Sequence, residues 1–89
     1  MAKVIFTDGR EKEVFPKNGT DFQLEEMQGI VCGYIEVLTL NGTELMIVNE
    51  EGKLEGLAVN DAATRVVRAN GYDDIIVGNV LICESAQVK

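Results

Sequence analysis

The sequence contains no histidine and no tryptophan, and only one proline and two cysteines among its 89 residues. Histidine is the commonest general base and the usual partner of a serine or cysteine nucleophile, so its absence argues against an enzyme. Cys32 and Cys83 form no CxxC spacing and supply too few ligands for a zinc site. Two buried free thiols are expected in a cytosolic chain, with a disulfide between them as the alternative. We therefore expect no catalytic residues, no metal and no cofactor, and we favour a protein that is not an enzyme.

Basic residues and long apolar runs are also scarce. Lysine and arginine total 8 against 15 aspartates and glutamates, which gives a net charge of −7. Binding of a nucleic-acid backbone needs a basic face, so nucleic acid is not an expected partner. No apolar run approaches the roughly 20 residues of a membrane span, and the N-terminal residues lack the apolar segment of a signal peptide. We expect a soluble cytoplasmic protein with no membrane partner.

Apolar runs separated by turn residues predict the strands. Residues 2–15 are expected to form a first hairpin, although the sequence does not decide between a two-residue and a three-residue loop. Its return strand is charged, which is typical of the edge of a sheet. Residues 33–49 are expected to form a central hairpin. The aliphatic run 75–83 is typical of a strand that is buried on both faces, and Gly78-Asn79 is either a bulge or a tight turn within it.

Capping residues and helical periodicity predict two short helices. The first is expected from about Thr20 to Val31, and the second begins after the capping residue Asn60 and ends at Gly71. The chain is long enough for one small domain with one core, and it shows no linker and no internal repeat. We therefore expect a single domain over 1–89 of the α+β class. It should contain a curled, mostly antiparallel sheet of about five or six short strands and two short helices.

The turn Asn41-Gly42, between two apolar runs, is the strongest hairpin signal in the chain. If these two residues alone form a type I′ loop, counting outward places Val37 opposite Met46 and Tyr34 opposite Asn49. One face of this hairpin would then be wholly apolar and buried: Ile35, Val37, Met46 and Val48. The other would be mixed, with Leu38, Leu40, Leu45 and Ile47 beside Tyr34, Glu36 and Asn49. A slip by one residue would exchange these faces, so the whole assignment depends on the register.

The polar end of the mixed face and the following turn contain the candidate binding residues. These are Tyr34, Glu36, Asn49, Glu50, Glu51, Lys53, Asn60 and Thr64. They form either a solvated turn at the rim of the core or a hydrogen-bonding site. We favour an interaction module that binds an unknown protein partner through the mixed face or through an exposed edge. The alternative is a protein that binds a small polar ligand such as a nucleotide, and an enzyme ranks third. The expected state is a monomer or a weak homo-oligomer.

Several segments in order resemble one family of small bacterial, phage and plasmid proteins that is known only as a domain of unknown function. The resemblance covers about residues 22–83, and its specific elements are Gly33-Tyr34-Ile35-Glu36 and the NEEGK stretch over 49–53. Members often carry paired glycines before Tyr-Ile-Glu, where this chain has Cys32-Gly33, and Gly-Asp near the end, where it has Gly78-Asn79. The resemblance implies an accessory protein carried by a phage or another mobile element. It implies no activity.

Overall fold

The protein is described by a computed structural model that covers residues 2–88. Its elements are β1 (Ala2–Ile5), β2 (Glu11–Val14), α1 (Leu24–Val31), β3 (Ile35–Thr39), β4 (Glu44–Asn49), α2 (Asp61–Ala69) and β5 (Val80–Glu84), followed by a short 3₁₀ turn, Ser85–Gln87. The strands form one five-stranded sheet in the order β2-β1-β5-β4-β3, and every neighbouring pair is antiparallel. The predicted α+β class is therefore confirmed, with five strands and two helices.

The central strand β5 is buried on both faces because each face of the sheet is covered by one helix. Val80 and Ile82 pack with Ala63 and Val67 of α2, whereas Leu81 and Cys83 belong to the cluster beneath α1. This alternation is what a strand in the middle of a three-layer arrangement requires. The predicted buried strand is thus confirmed for its second half. The first half is not part of β5: residue Val77 forms an isolated bridge with Val59, and a bend at Gly78 separates the two.

Each helix covers its face with the stripe that its sequence predicts, except at the start of α1. Met27 and Val31 are buried, but Leu24 is half exposed because α1 begins at this residue rather than near Thr20. The N-cap is Gln23, whose N–H donates to the Glu26 carboxylate at 2.8 Å. The second helix is capped as predicted: the side chain of Asn60 accepts a hydrogen bond from the N–H of Ala63.

The register predicted for the central hairpin is wrong by one residue. Val37 lies opposite Ile47 and Leu38 opposite Met46, because the loop contains three residues instead of two. The N–H of Leu40 donates to the carbonyl of Glu44 at 2.9 Å, which leaves residues 41–43 as the loop. Gly42 adopts a positive φ of 59° within it, so the turn signal was correct while the loop length was not.

The slip exchanges the two faces of β3, as a change of one residue must. Met46 and Val48 face α2 together with Leu38, whereas Ile47 faces α1 together with Ile35. The predicted apolar face of Ile35, Val37, Met46 and Val48 therefore does not exist as one surface. Nor does the predicted mixed face, whose members are divided between the two sides of the sheet.

The first hairpin also has a three-residue loop, which decides the length that the sequence left open. The N–H of Phe6 donates to the carbonyl of Arg10 at 2.9 Å, and Val4 lies opposite Lys12. Its outer strand, β2, is an edge of the sheet, as the charges predicted. The other edge is β3. Among residues 2–88, no helix is long and apolar enough to cross a membrane.

Candidate functional site

Asn49 lies at the end of β4, and its side chain is committed to hydrogen bonds within the protein. The Nδ2 group lies 3.0 Å from the carbonyl oxygen of Val31 and 3.1 Å from a carboxylate oxygen of Glu55, while Oδ1 accepts the N–H of Glu51 at 2.8 Å. Only 6% of Asn49 is exposed. It therefore joins the end of α1 to the turn after β4. It does not share a face with Glu36, because Asn49 lies opposite Ile35 and Glu36 lies opposite Val48.

Asn60 and Thr64 are likewise bonded inside the domain, beneath the start of α2. The Nδ2 group of Asn60 donates to the carbonyls of Ile5 and Gly78 at 3.0 and 2.9 Å. The hydroxyl of Thr64 donates to the carbonyl of Asn60 at 2.8 Å and accepts the N–H of Ile76 at 2.9 Å. These contacts give both residues a structural role. Any part they play in binding a ligand stays a prediction.

A small cavity of about 80 Å³ brings four of the predicted residues together. It opens on the α2 face at the end of the β3–β4 pair and is lined by Glu36, Asn49, Glu50 and Lys53, together with Asp74 and the aliphatic residues around it. Lys53 donates to the Asp74 carboxylate at 2.6 Å, and this bond holds the pKa of Asp74 below its usual value. Because that aspartate neutralises the lysine, the carboxylates of Glu36 and Glu50 leave the cavity acidic.

Tyr34 and Glu51 lie at a second cavity, of about 250 Å³, lined by Gln28, Gly33, Tyr34, Glu51 and Glu55. Tyr34 is 66% exposed, so its ring is not part of the core. Gly33 is needed here for space: a Cβ at this position would lie 2.7 Å from Nδ2 of Asn49. Six of the eight predicted residues thus divide into two groups around the turn that follows β4, and Asn60 and Thr64 lie apart from both, beneath α2. The structure does not assemble the eight residues into one site.

Cys32 ends α1 in the left-handed conformation, with a φ of 66°, and it is exposed rather than buried. This left-handed conformation at a helix end is one that glycine adopts more readily than cysteine. Cys83 is buried in β5, and desolvation raises the pKa of its thiol to about 11. The expectation of two free thiols is confirmed, but only one of them is buried. Within residues 2–88, no cluster of three acidic or thiol side chains could hold a metal ion.

The edge strand β3 has a row of backbone groups that face away from the rest of the sheet. The carbonyls of Tyr34 and Glu44 accept the N–H groups of Glu50 and Leu40, so even-numbered residues of this strand direct their backbone groups toward β4. The backbone groups of the alternate residues, Ile35 and Val37, therefore point away from the sheet. In the part of the chain that the structure describes, they have no hydrogen-bond partner. An unpaired row of this kind is a template for another strand.

The open part of this edge is short and clearly bounded. At its C-terminal end, the hydroxyl of Tyr72 donates to the carbonyl oxygen of Thr39 at 2.7 Å and so occupies that acceptor. At its centre, Val37 is 44% exposed, which leaves an apolar side chain at the rim. Glu36 is the one charged residue within β3. Apolar composition could have indicated an unguarded edge from sequence, but only the strand order shows that β3 is one.

Comparison with known proteins supports a family and adds no activity. No curated protein and no solved structure matches the chain. One family model matches residues 2–88, which extends the region of resemblance, 22–83, toward both ends of the chain. With its five-stranded antiparallel sheet and two helices, the chain belongs to the DUF3846 family of domains of unknown function.

Proposed function

We propose that this protein is a non-enzymatic interaction module that binds an extended segment of another protein along β3. The observation that supports this function is the outward row of backbone groups at Ile35 and Val37, which lacks partners within residues 2–88. Addition of a strand would satisfy these groups and extend the sheet, as in other proteins that recognise peptides through a sheet edge. The proposal keeps the predicted class of function and, of the two surfaces that the sequence left open, selects the exposed edge instead of the mixed face.

The contrast with the opposite edge supports the choice of β3. Edge strands are commonly protected by charged side chains, and β2 has Glu11, Lys12 and Glu13 in sequence, all exposed. The strand β3 contains mainly aliphatic residues and is protected only by Glu36 and by the hydroxyl of Tyr72 at one end. The β3 edge is open and apolar, whereas the β2 edge is protected by charges. This difference suits β3 to a specific partner.

A proline substitution can test this without disturbing the sheet itself. Val37→Pro removes an N–H that points outward, so every hydrogen bond between β3 and β4 remains possible. The matched control is Glu13→Pro, because the N–H of Glu13 also points outward, at the other edge. Both variants should stay folded by circular dichroism, since proline is tolerated at such positions.

The measurement is affinity purification of the wild type and both variants from a lysate, with mass spectrometry of the proteins retained. We expect a partner that is recovered by the wild type and by Glu13→Pro and is lost with Val37→Pro. A partner that is retained equally by all three proteins would show that the β3 edge is not the binding surface.

A small polar ligand is a second candidate, supported by the cavity of about 250 Å³ beside the exposed Tyr34. Its lining is suited to a stacked ring with polar substituents, since Tyr34 offers an aromatic face and Gln28, Glu51 and Glu55 offer hydrogen-bonding groups. Replacement of Tyr34 by Ala should weaken such a ligand at least about tenfold, or about 1.4 kcal/mol, while leaving strand addition intact. The mobile-element origin and cytoplasmic location expected from sequence stay predictions.

A further inference from the structure

We propose that the partner segment presents a lysine or arginine opposite Glu36, and that the same carboxylate keeps a second copy of this chain off the β3 edge. The inference rests on the proposed function, and it names the chemistry of the partner. It follows from the register that the open backbone groups impose on any added strand, taken together with the charges that lie beside that register.

The open groups determine which residues of an added antiparallel strand would face which residues of β3. Ile35 and Val37 would each exchange hydrogen bonds with one residue of the partner, so the partner residue between those two would lie opposite Glu36. That central pair is of the close, non-hydrogen-bonded kind, in which Cα atoms are about 4.5 Å apart and side chains meet directly. The charge of Glu36 therefore acts on one defined position of the partner.

Pairing with a second copy would place like charges at this position. If Ile35 of one copy pairs with Val37 of the other, the two-fold axis passes through Glu36, and the two Glu36 carboxylates face each other. Like charges directly opposite are destabilising in a sheet. The register centred on Val37 avoids this contact, but it needs the carbonyl of Thr39, which the hydroxyl of Tyr72 already occupies. These two self-pairings are therefore opposed.

A basic residue of the partner opposite Glu36 would be attracted to this carboxylate, whereas a second Glu36 is repelled by it. Its side chain would point to the α2 face, the same face onto which the cavity of about 80 Å³ opens. Glu36 and Glu50 line that cavity, and Lys53 there is already paired with Asp74. An ammonium or guanidinium group would reach two carboxylates that have no basic partner within residues 2–88. The flanking partner residues would lie beside Ile35 and Val37 on the α1 face, where β-branched side chains fit.

Short synthetic peptides with blocked ends test this prediction directly. One contains Thr-Val-Lys-Val-Thr, and its counterpart contains Thr-Val-Glu-Val-Thr. Titration of isotope-labelled protein, followed by NMR, gives affinities and shows whether the amides of Ile35 and Val37 gain protection from hydrogen exchange. The wild type should bind the lysine peptide at least about tenfold more tightly than the glutamate peptide. Glu36→Lys should reverse this order.

Three controls separate the possible outcomes. Glu13→Lys makes the same change in net charge at the other edge, and it should keep the wild-type preference if Glu36 acts locally. Val37→Pro should lose both peptides. Equal affinity of the wild type for both peptides, with loss in Val37→Pro, would overturn the charge selection and leave the edge as the binding surface. Binding of neither peptide at Ile35 and Val37 would count against both proposals.

Self-association gives an independent readout of the same carboxylate. Glu36→Thr removes the opposed charges without changing the backbone, so it should shift the protein toward dimers in sedimentation velocity, with protection gained at Ile35 and Val37. The wild type should stay monomeric at the same concentration. A wild-type dimer that protects these two amides would overturn the inference, as would a Glu36→Thr variant that stays as monomeric as the wild type.

Discussion

The two hairpins occupy equivalent places on either side of β5, and they differ in how their outer strands meet solvent. Each has a three-residue loop, and each contributes its outer strand to an edge of the sheet. The first hairpin presents a charged edge, whereas the central hairpin presents an apolar one with Glu36 as its single charge. Topology alone therefore does not make an edge into a binding surface. Under the proposed function, the side chains on each edge decide which of the two accepts a partner.

The two hairpins also share a structural feature: the side chain of a buried asparagine bonds each hairpin to a neighbouring segment. The side chain of Asn60 donates to the carbonyl of Ile5, at the end of β1. The side chain of Asn49, at the end of β4, donates to the carbonyl of Val31, at the end of α1. In each case one amide fixes a hairpin to the segment beside it. Loss of either amide would remove a hydrogen-bond donor from buried carbonyl groups, and a buried group left unsatisfied costs about 1 to 3 kcal/mol.

The largest expected effect comes from removing these amides. Asn60→Ala should lower the free energy of unfolding by about 3 to 5 kcal/mol, because it removes the side-chain donor of two buried carbonyls and the cap of α2. Asn49→Ala should cost less, about 2 to 3 kcal/mol, since some of its partners lie near the surface. Urea denaturation measures both. A larger loss in the free energy of unfolding for Asn49→Ala than for Asn60→Ala would contradict this ranking.

Replacement of the loop glycines should have an intermediate effect in both hairpins. Gly9 and Gly42 have φ values of 91° and 59°, and there is open space around each for a Cβ atom. Valine at either position is therefore strained by the backbone alone, and it should lower the free energy of unfolding by about 1 to 3 kcal/mol. Thermal melts of Gly9→Val and Gly42→Val check this. Unchanged melting of either variant would mean that its loop relaxes to another conformation.

Composition and local turn chemistry were enough to predict the fold class, the guarded edge and the cap of α2. They could not predict the register of the central hairpin, because Asn-Gly indicates a turn without fixing how many residues the loop contains. One extra loop residue, Thr43, transferred Val37 from the expected core to the rim. Asn49 and Asn60 read as binding residues from sequence because nothing in it shows that their partners are carbonyls from distant segments. The open edge required the strand order, which is a property of the whole sheet.

Exchanging the type of side chain at Val37 and Glu13, one on each edge, should have the smallest effect on stability and the clearest effect on association. Val37 and Glu13 occupy matched positions, with backbone groups that point outward from β3 and β2. Val37→Lys should change the free energy of unfolding by less than about 0.5 kcal/mol, because Val37 is half exposed and a lysine stem can cover the same surface. Glu13→Val should be equally mild for the same reason of exposure.

These two variants should nevertheless differ in solution. Val37→Lys places a charge in the middle of β3, so it should lose the partner segment and stay monomeric. Glu13→Val leaves the β2 edge with weaker protection, so it should show concentration-dependent association in sedimentation velocity, together with protection of the backbone amides of β2 from hydrogen exchange. Retention of the partner by Val37→Lys would mean that apolar composition is not what makes β3 receptive. A strictly monomeric Glu13→Val would mean that the remaining charges, Glu11 and Lys12, are sufficient to protect that edge.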